Sequence, residues 1–325
     1  MKKQFIKDLK IGSYVESQFV IVDVKERSFS SPAKSGEHFF KLVLGDVTGT
    51  LHAVLWDRSI VSEPIEIDDV VYVSGEVKDY QGPQLAINYF KKLDKDKVNR
   101  ESFQPTSERD IEAMWSSLQN IVEEEVTDRN LRSLWQVFCN DNHLVEKFKY
   151  SPAARFVHHN YLGGLLEHTL EVAEICLEIS NYYPDESNRS LILLGAVFHD
   201  IGKIEEYDLR SFSFKQTNKG NLLGHIIIGL EILRDKIKEV PGFPEDLKMK
   251  LEHIIISHHG EKEWGAPELP QTFNAFALFH ADHLSARLKQ FVQVMKKHEH
   301  SSSSWTGWDR LLQRKIYYDS PEELT

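Results

Sequence analysis

Cysteine is nearly absent. Cys139 and Cys176 are the only two in 325 residues, and they do not form a metal-binding spacing. That excludes a disulfide framework and a cysteine-ligated zinc site, and it fits a reducing cytoplasm, the expected location. Long apolar runs are missing too. No stretch approaches the roughly 20 residues that a bilayer span requires, and the charged residues at the start lead into no apolar segment, so neither a membrane partner nor a signal peptide is expected. A basic excess is also missing. The net charge of −11 argues against a protein coated in cationic surface. Residues 1–100 carry 15 residues of each sign, so all the acidity lies beyond them. Bound divalent cations would offset part of it. The length suggests about two domains.

The first hundred residues read as β-structure. Segments 14–24, 39–44, 51–56, 69–77 and 85–90 are rich in β-branched and aromatic residues, and Gly, Asp, Ser and Pro punctuate them. Five short strands with turn signals between them predict a small barrel. The Gly45-Asp46-Val47-Thr48-Gly49 turn, a strand ending in Trp56 and the later Val71-Tyr72-Val73-Ser74-Gly75 resemble the OB fold over residues 12–93. That resemblance implies single-stranded nucleic acid held by stacking on aromatics and by cations along the backbone. Phe40, Trp56 and Lys41 are the leading candidates, with Phe39, Tyr72, Tyr80, Tyr89, Lys34 and Arg58 behind them. Alternation along the strands predicts at least half of these aromatics in the barrel core.

Residues 96–151 read as a polar linker and a helical lead-in. Ser107 is the expected N-cap, ahead of an acidic first turn and of Trp115, Leu118 and Ile121 at helical spacing. From residue 152 the chain is helical. The run from Leu191 to His199 predicts a buried helix, Asn218 to Asn221 a loop, Pro244 a helix start, and 270–297 a long helix. The last segment, 301–325, is a tail with two tryptophans.

His199 and Asp200 end the apolar run. An imidazole and a carboxylate there are costly to desolvate without a partner, and a metal ion is the usual one. His168, His225, His258 and Asp282 also sit on or beside apolar helical stretches. A helical bundle builds a metal site by converging ligands from several helices, and nitrogen with carboxylate ligands suits first-row divalent ions. His259 is the alternative to His258. His52, His143, His253 and His298 are expected to be filler, and His280 and His283 to support or pack around Asp282.

Gly163-Gly164-Leu165-Leu166-Glu167-His168, His199-Asp200-Ile201-Gly202-Lys203 and Ala281-Asp282-His283 resemble the HD superfamily of metal-dependent phosphohydrolases over residues 152–298. The resemblance implies a first metal on His168, His199, Asp200 and Asp282. It implies a second on His225 and His258, with Asp200 shared. Two ions clamp a phosphate and acidify a water, and Asp200 would orient that water. Lys203, about one helical turn on, would neutralise charge on the phosphate. Arg155, His159 and Arg287 are further candidate substrate contacts.

An OB-like module followed by an HD domain resembles, over nearly the whole chain, the YhaM family of bacterial 3′-to-5′ exoribonucleases. That resemblance implies manganese-supported release of nucleoside monophosphates from single-stranded RNA, with single-stranded DNA as a second substrate. Iron, nickel, cobalt and magnesium are the other candidate metals, and a homo-oligomer is a candidate assembly. The alternative is a phosphohydrolase of small nucleotides with a regulatory OB module. The expected fold class is multidomain α+β, a five-stranded OB-like barrel followed by an all-α HD bundle. The expected domains are 1–95, 96–151, 152–300 and 301–325.

Overall fold

The computed structural model describes residues 4–29, 36–80, 82–99, 102–154, 160–209, 211–298 and 303–318. Contacts divide the chain into two units, one of residues 1–106 with 208–216, the other of residues 107–207 with 217–325.

The first unit is a closed barrel of β1 (Tyr14–Ser28), β2 (His38–Asp46), β3 (Gly49–Leu55), β4 (Val70–Asp79) and β5 (Pro83–Lys92), in the order β1-β2-β3-β5-β4. All pairings are antiparallel except β3 with β5. Irregularities between Ile21 and Asp23 and between Ser74 and Gly75 supply the local twist that closure needs. The β2–β3 turn is fixed by the Asp46 carboxylate, which accepts from Thr48 N at 2.8 Å and Thr48 Oγ1 at 2.5 Å.

Branched aliphatics such as Val15, Ile21, Leu42, Leu55, Val73 and Leu85 fill the interior. They leave less room for aromatics than strand alternation predicted. The register Phe40↔Leu55 turns Phe40 toward the core, where it is half-buried. Phe39 faces outward and is covered by Phe29 and Trp56, at 4.9 and 4.7 Å between ring centroids. Tyr72 is half-buried, and Trp56, Tyr80 and Tyr89 are exposed. Lys41 is exposed, and residue 34 lies outside the described residues.

A strap belonging to this unit comes from far along the chain. In residues 208–216, Ser211 Oγ and Ser213 N donate to the buried Asp68 carboxylate at 2.6 and 2.9 Å, and Lys95 Nζ pairs with it at 2.9 Å. Phe212 packs edge-on against Phe103, beside Val20, Val22 and Val70.

The second unit is helical: α1 (Ile111–Glu125), α2 (Arg129–Asn140), α3 (Asn142–Tyr150), α4 (Gly164–Tyr182), α5 (Arg189–Phe198), α6 (Lys203–Glu206), α7 (Asn218–Lys238), α8 (Glu245–Ser257) and α9 (Phe273–His298). The lead-in helices contribute Trp115, Leu134, Trp135, Phe138 and Phe148 to the same core as α4, α5, α7, α8 and α9. Helix α5 is buried along its whole length from Ser190 to Phe198. Asp110, not Ser107, caps α1, accepting from Ala113 N at 2.8 Å. The Ser107 hydroxyl is drawn instead to Glu167, donating to Oε2 at 2.6 Å. Glu167 also accepts from Tyr161 at 2.9 Å and pairs with Lys289, so a buried carboxylate beside His168 ties the start of α1, the turn before α4 and helix α9 together. Burial opposes its ionisation, but Lys289 and Ser107 outweigh that and hold the carboxyl below its usual range. Residues 218–221 are not a loop. They open α7, because Thr217 Oγ1 accepts from Gly220 N at 2.9 Å and caps it. In the described part of the tail, Trp305 bridges to Tyr317 and Asp309 to Arg314, and Leu312 and Ile316 are buried. Among the described residues, no helix is long and apolar enough to cross a membrane.

Candidate metal centre

The apolar helix α5 ends in a tight turn. His199 N donates to Gly195 O at 2.8 Å and Lys203 N to Asp200 O at 3.0 Å, so a turn that carries the His-Asp pair joins α5 to α6. Both side chains are buried. His168 comes from the first turns of α4 and Asp282 from the middle of α9, and His168 Nε2 lies 3.0 Å from Asp282 Oδ1. His199 Nε2 is 3.3 Å from His168 Nε2.

Two glycines bring the other side of the site into place. Gly224 has φ +70° and ψ 160°, a conformation L side chains rarely adopt, and this kink in α7 re-aims the chain just before His225. Gly202 lies against that helix, where a Cβ would sit 2.0 Å from His225 O and 2.6 Å from Gly229 N. Gly202→Ala is therefore expected to push α7 away, costing about 1–3 kcal/mol of stability. Thermal unfolding and metal stoichiometry read this, and an unchanged midpoint with full metal content would contradict it. From the end of α8, both His258 and His259 reach His225. The structure thus brings together both histidines between which the sequence left a choice.

The ligand atoms fall into two trios, His168, His199 and Asp200, and His225, His258 and His259, each within 4.8 Å. Asp200 faces both. Its Oδ2 lies 3.7 and 3.4 Å from Nε2 of His168 and His199, and its Oδ1 lies 3.5 Å from Nε2 of both His225 and His258. His225 Nε2 is 3.2 Å from His259 Nε2.

All five imidazoles present Nε2 inward, and four of them have a hydrogen-bond partner at Nδ1, with a carboxylate beside the fifth. His199 donates to Ala196 O and His258 to Ile255 O, both at 2.7 Å, and His259 to Trp264 O at 3.0 Å. His168 meets Ser285 Oγ at 3.1 Å, and that hydroxyl donates on to Glu171. His225 Nδ1 lies 3.4 Å from the buried Glu206 carboxylate. Such outer partners fix the tautomer that leaves Nε2 able to ligate. Sequence reasoning missed Glu206, Ser285 and Glu171. None of the three carried a signal in the sequence that set it apart from a solvated polar residue.

The electrostatics fit a cation. Burial opposes ionisation of Asp200, yet Lys203 and His199 hold its carboxyl well below the usual range. Asp282 is likewise held low, against burial, by His168 and His199. Burial lowers His258, and burial with the neighbouring His258 brings His259 to about 4, both shifts toward the unprotonated ring that ligation requires. His199 goes the other way, because Asp200 and Asp282 outweigh its burial. The carboxylates that favour a proton there equally favour a metal. Asp200 Oδ1 and His258 Nε2 are buried without a hydrogen-bond partner among the described residues, which costs about 1–3 kcal/mol per group unless something else satisfies it. A divalent ion ligated by these residues would do so.

Lys203 Nζ lies 2.5 Å from Asp200 Oδ2 and lines the cavity at the site. Arg287 donates to Leu311 O at 3.1 Å and to His283 at 3.4 Å. Arg155 and His159 fall outside the described residues. His280 packs on Phe276 and Phe279, and His283 on Trp264.

The HD domain family matches residues 165–287. The 3′-5′ exoribonuclease YhaM of Listeria welshimeri is 30% identical over 302 residues, covering 91% of this chain and 92% of that protein. The 3′-5′ exoribonuclease YhaM of Bacillus subtilis is 29% identical over 291 residues, 89% of this chain and 90% of that one. Among solved structures, the second OB-fold domain of replication protein A from Methanococcus maripaludis aligns with 30% of this chain and 100% of its own at 22% identity, with a TM-score of 0.26. The sequence likeness to the exoribonucleases runs through barrel and helical unit alike and nearly end to end in both proteins, and on that ground the chain belongs to the YhaM family.

Proposed function

We infer that this chain is a metal-dependent 3′-5′ exoribonuclease, and we propose that it removes nucleoside monophosphates from single-stranded RNA, with single-stranded DNA as a second substrate. The observation that carries the reading is Asp200, whose Oδ2 faces His168 and His199 while its Oδ1 faces His225 and His258. His168, His199, Asp200 and Asp282 would hold one ion. His225, His258 and His259 with Asp200 would hold the other, and manganese suits this donor set. Bound there, a pair of divalent ions supplies Lewis acidity toward phosphorus and an acidified water for attack.

The protein's own groups do the rest. Asp200 is the shared carboxylate and keeps the two ligand sets in register. Lys203 fixes Asp200 and brings its ammonium to the cavity, where an anionic phosphate gains charge in the transition state. On the barrel, the exposed Trp56, backed by the buried Phe39, offers stacking to single-stranded RNA, and Lys41, exposed on the face of β2 that carries Phe39, offers a cation.

The test uses a 5′-labelled oligoribonucleotide with Mn²⁺. A ladder shortening by single nucleotides is expected. An intact oligomer beside turnover of a mononucleotide or cyclic dinucleotide would favour the small-nucleotide alternative instead. Trp56→Ala is expected to raise KM on long oligomers about fivefold or more, in line with about 1–3 kcal/mol per stacked base, and to leave a dinucleotide unaffected. Equal loss on both would make the barrel face structural. A side-chain exchange is the cleaner probe, because cutting the barrel away would strand residues 208–216, which pack in its unit.

A further inference from the structure

Beside the ligands, the cavity has an aromatic rim that hydrolysis itself does not require. Trp264 lies in the segment between α8 and α9 and is 51% exposed. Its indole is parallel to the His283 imidazole, with 5.2 Å between centroids and 7° between planes. Phe279 stands behind at 6.2 Å. The segment is held in place: Trp264 N donates to Glu261 O at 3.0 Å, Ala266 N donates to the same oxygen at 3.1 Å, and Trp264 O accepts from His259 Nδ1. One indole face is thus backed by His283, while half the side chain remains open. The same ring lines a cavity of about 240 Å³ with Asp200, His258 and Asp282.

The size of that cavity decides what it can hold. Sites that engulf a whole drug-sized ligand run to roughly 300–1,000 Å³. This one falls short of that range, so it cannot enclose a whole nucleotide, and its aromatic rim is open to the part left outside. An enzyme that removes one residue after another meets every base in turn, and stacking tolerates all of them because each has a π-face.

We propose that Trp264, backed by His283, is the platform on which the base of the 3′-terminal nucleotide stacks, setting the scissile phosphodiester over Asp200. The proposal rests on the exoribonuclease reading above. It makes Trp264 a substrate-binding residue that reads the presence of a base but not its identity.

The test compares two 5′-labelled oligoribonucleotides that differ only in whether the 3′-terminal sugar carries a base, on the full-length, Mn²⁺-loaded protein. The wild type is expected to show a KM at least about fivefold higher on the base-free end. Trp264→Ala is expected to close that gap, and Trp264→Phe to keep most of it. Metal content of each variant is measured alongside, since the Trp264 carbonyl holds His259. Equal KM values on the two ends in the wild type would overturn the proposal without reference to any variant, as would Trp264→Ala that still discriminates. If the wild type shortens neither oligomer, the exoribonuclease reading falls and this proposal with it.

Discussion

Asp200→Asn removes turnover, by about a thousandfold or more, while the protein still binds a single-stranded oligoribonucleotide. The substitution keeps shape and changes two things. It removes the negative charge on which Lys203, His168, His199, His225 and His258 converge. It also turns one carboxylate oxygen into an NH₂ donor, which cannot ligate a cation. Loss of a single electrostatic contact in a preorganised site costs about 10²–10³ in rate, and here the lost group is shared by both trios. Steady-state rates on a labelled oligomer and anisotropy of the same oligomer separate the two effects. Retained turnover would remove Asp200 from the chemistry, and lost binding would mean that the variant disrupts more than the metal centre.

Stripping and restoring the metal is the second large effect. Asp200 Oδ1 and His258 Nε2 are buried without a hydrogen-bond partner among the described residues, so the folded chain without an ion carries a cost that the unfolded chain lacks. A ligand that binds only the folded state at a thousand times its Kd stabilises by about 4 kcal/mol. For a helical unit of this size each kcal/mol corresponds to about 2–4 °C. Dialysis against a chelator is therefore expected to lower the unfolding temperature by roughly 8–16 °C and to abolish nuclease activity, and Mn²⁺ is expected to restore both. An unfolding temperature indifferent to Mn²⁺ would contradict a metal site built from these residues.

Much of the site was legible because ligand chemistry restricts residue type. Without a cysteine spacing motif, imidazoles and carboxylates are the side chains suited to a first-row divalent ion, and positions beside apolar helices pointed to the histidines that converge among the 15 in the chain. The choice between His258 and His259 was not legible. Gly260 marks the end of the helix and has φ +78°, but adjacent residues at a helix end point about 100° apart, and nothing local shows that both rings meet His225. Outer partners were hidden for another reason. Glu206 on a four-residue helix reads as a solvated acid, and only the approach of α7 across Gly202 brings His225 to it.

The barrel was legible at the level of strands, turns and closure, since period-two patterning and the Asp46-Val47-Thr48-Gly49 turn are local. Which aromatic faces outward was not. Phe39 and Phe40 are neighbours, and one step of register exchanges core for surface. Pairing of Phe40 with Leu55 settles it, and that pairing depends on the turn geometry. Ser107 and residues 218–221 failed for a similar reason. Ser107 is a good N-cap by composition but is drawn away by a buried Glu167 far along the chain. Asn218 to Asn221 look like a loop until Thr217 caps them. The strap at 208–216 carries no pattern that assigns it to the barrel. Its ties to Asp68 span more than a hundred residues.

The central claim is that Asp200 is the shared ligand of two divalent ions. Anomalous diffraction from crystals of the full chain grown with Mn²⁺ tests it most directly. Two peaks about 3.5–4 Å apart are expected, with Asp200 between them, one against His168, His199 and Asp282 and the other against His225, His258 and His259. A single peak, or peaks away from Asp200, would contradict it.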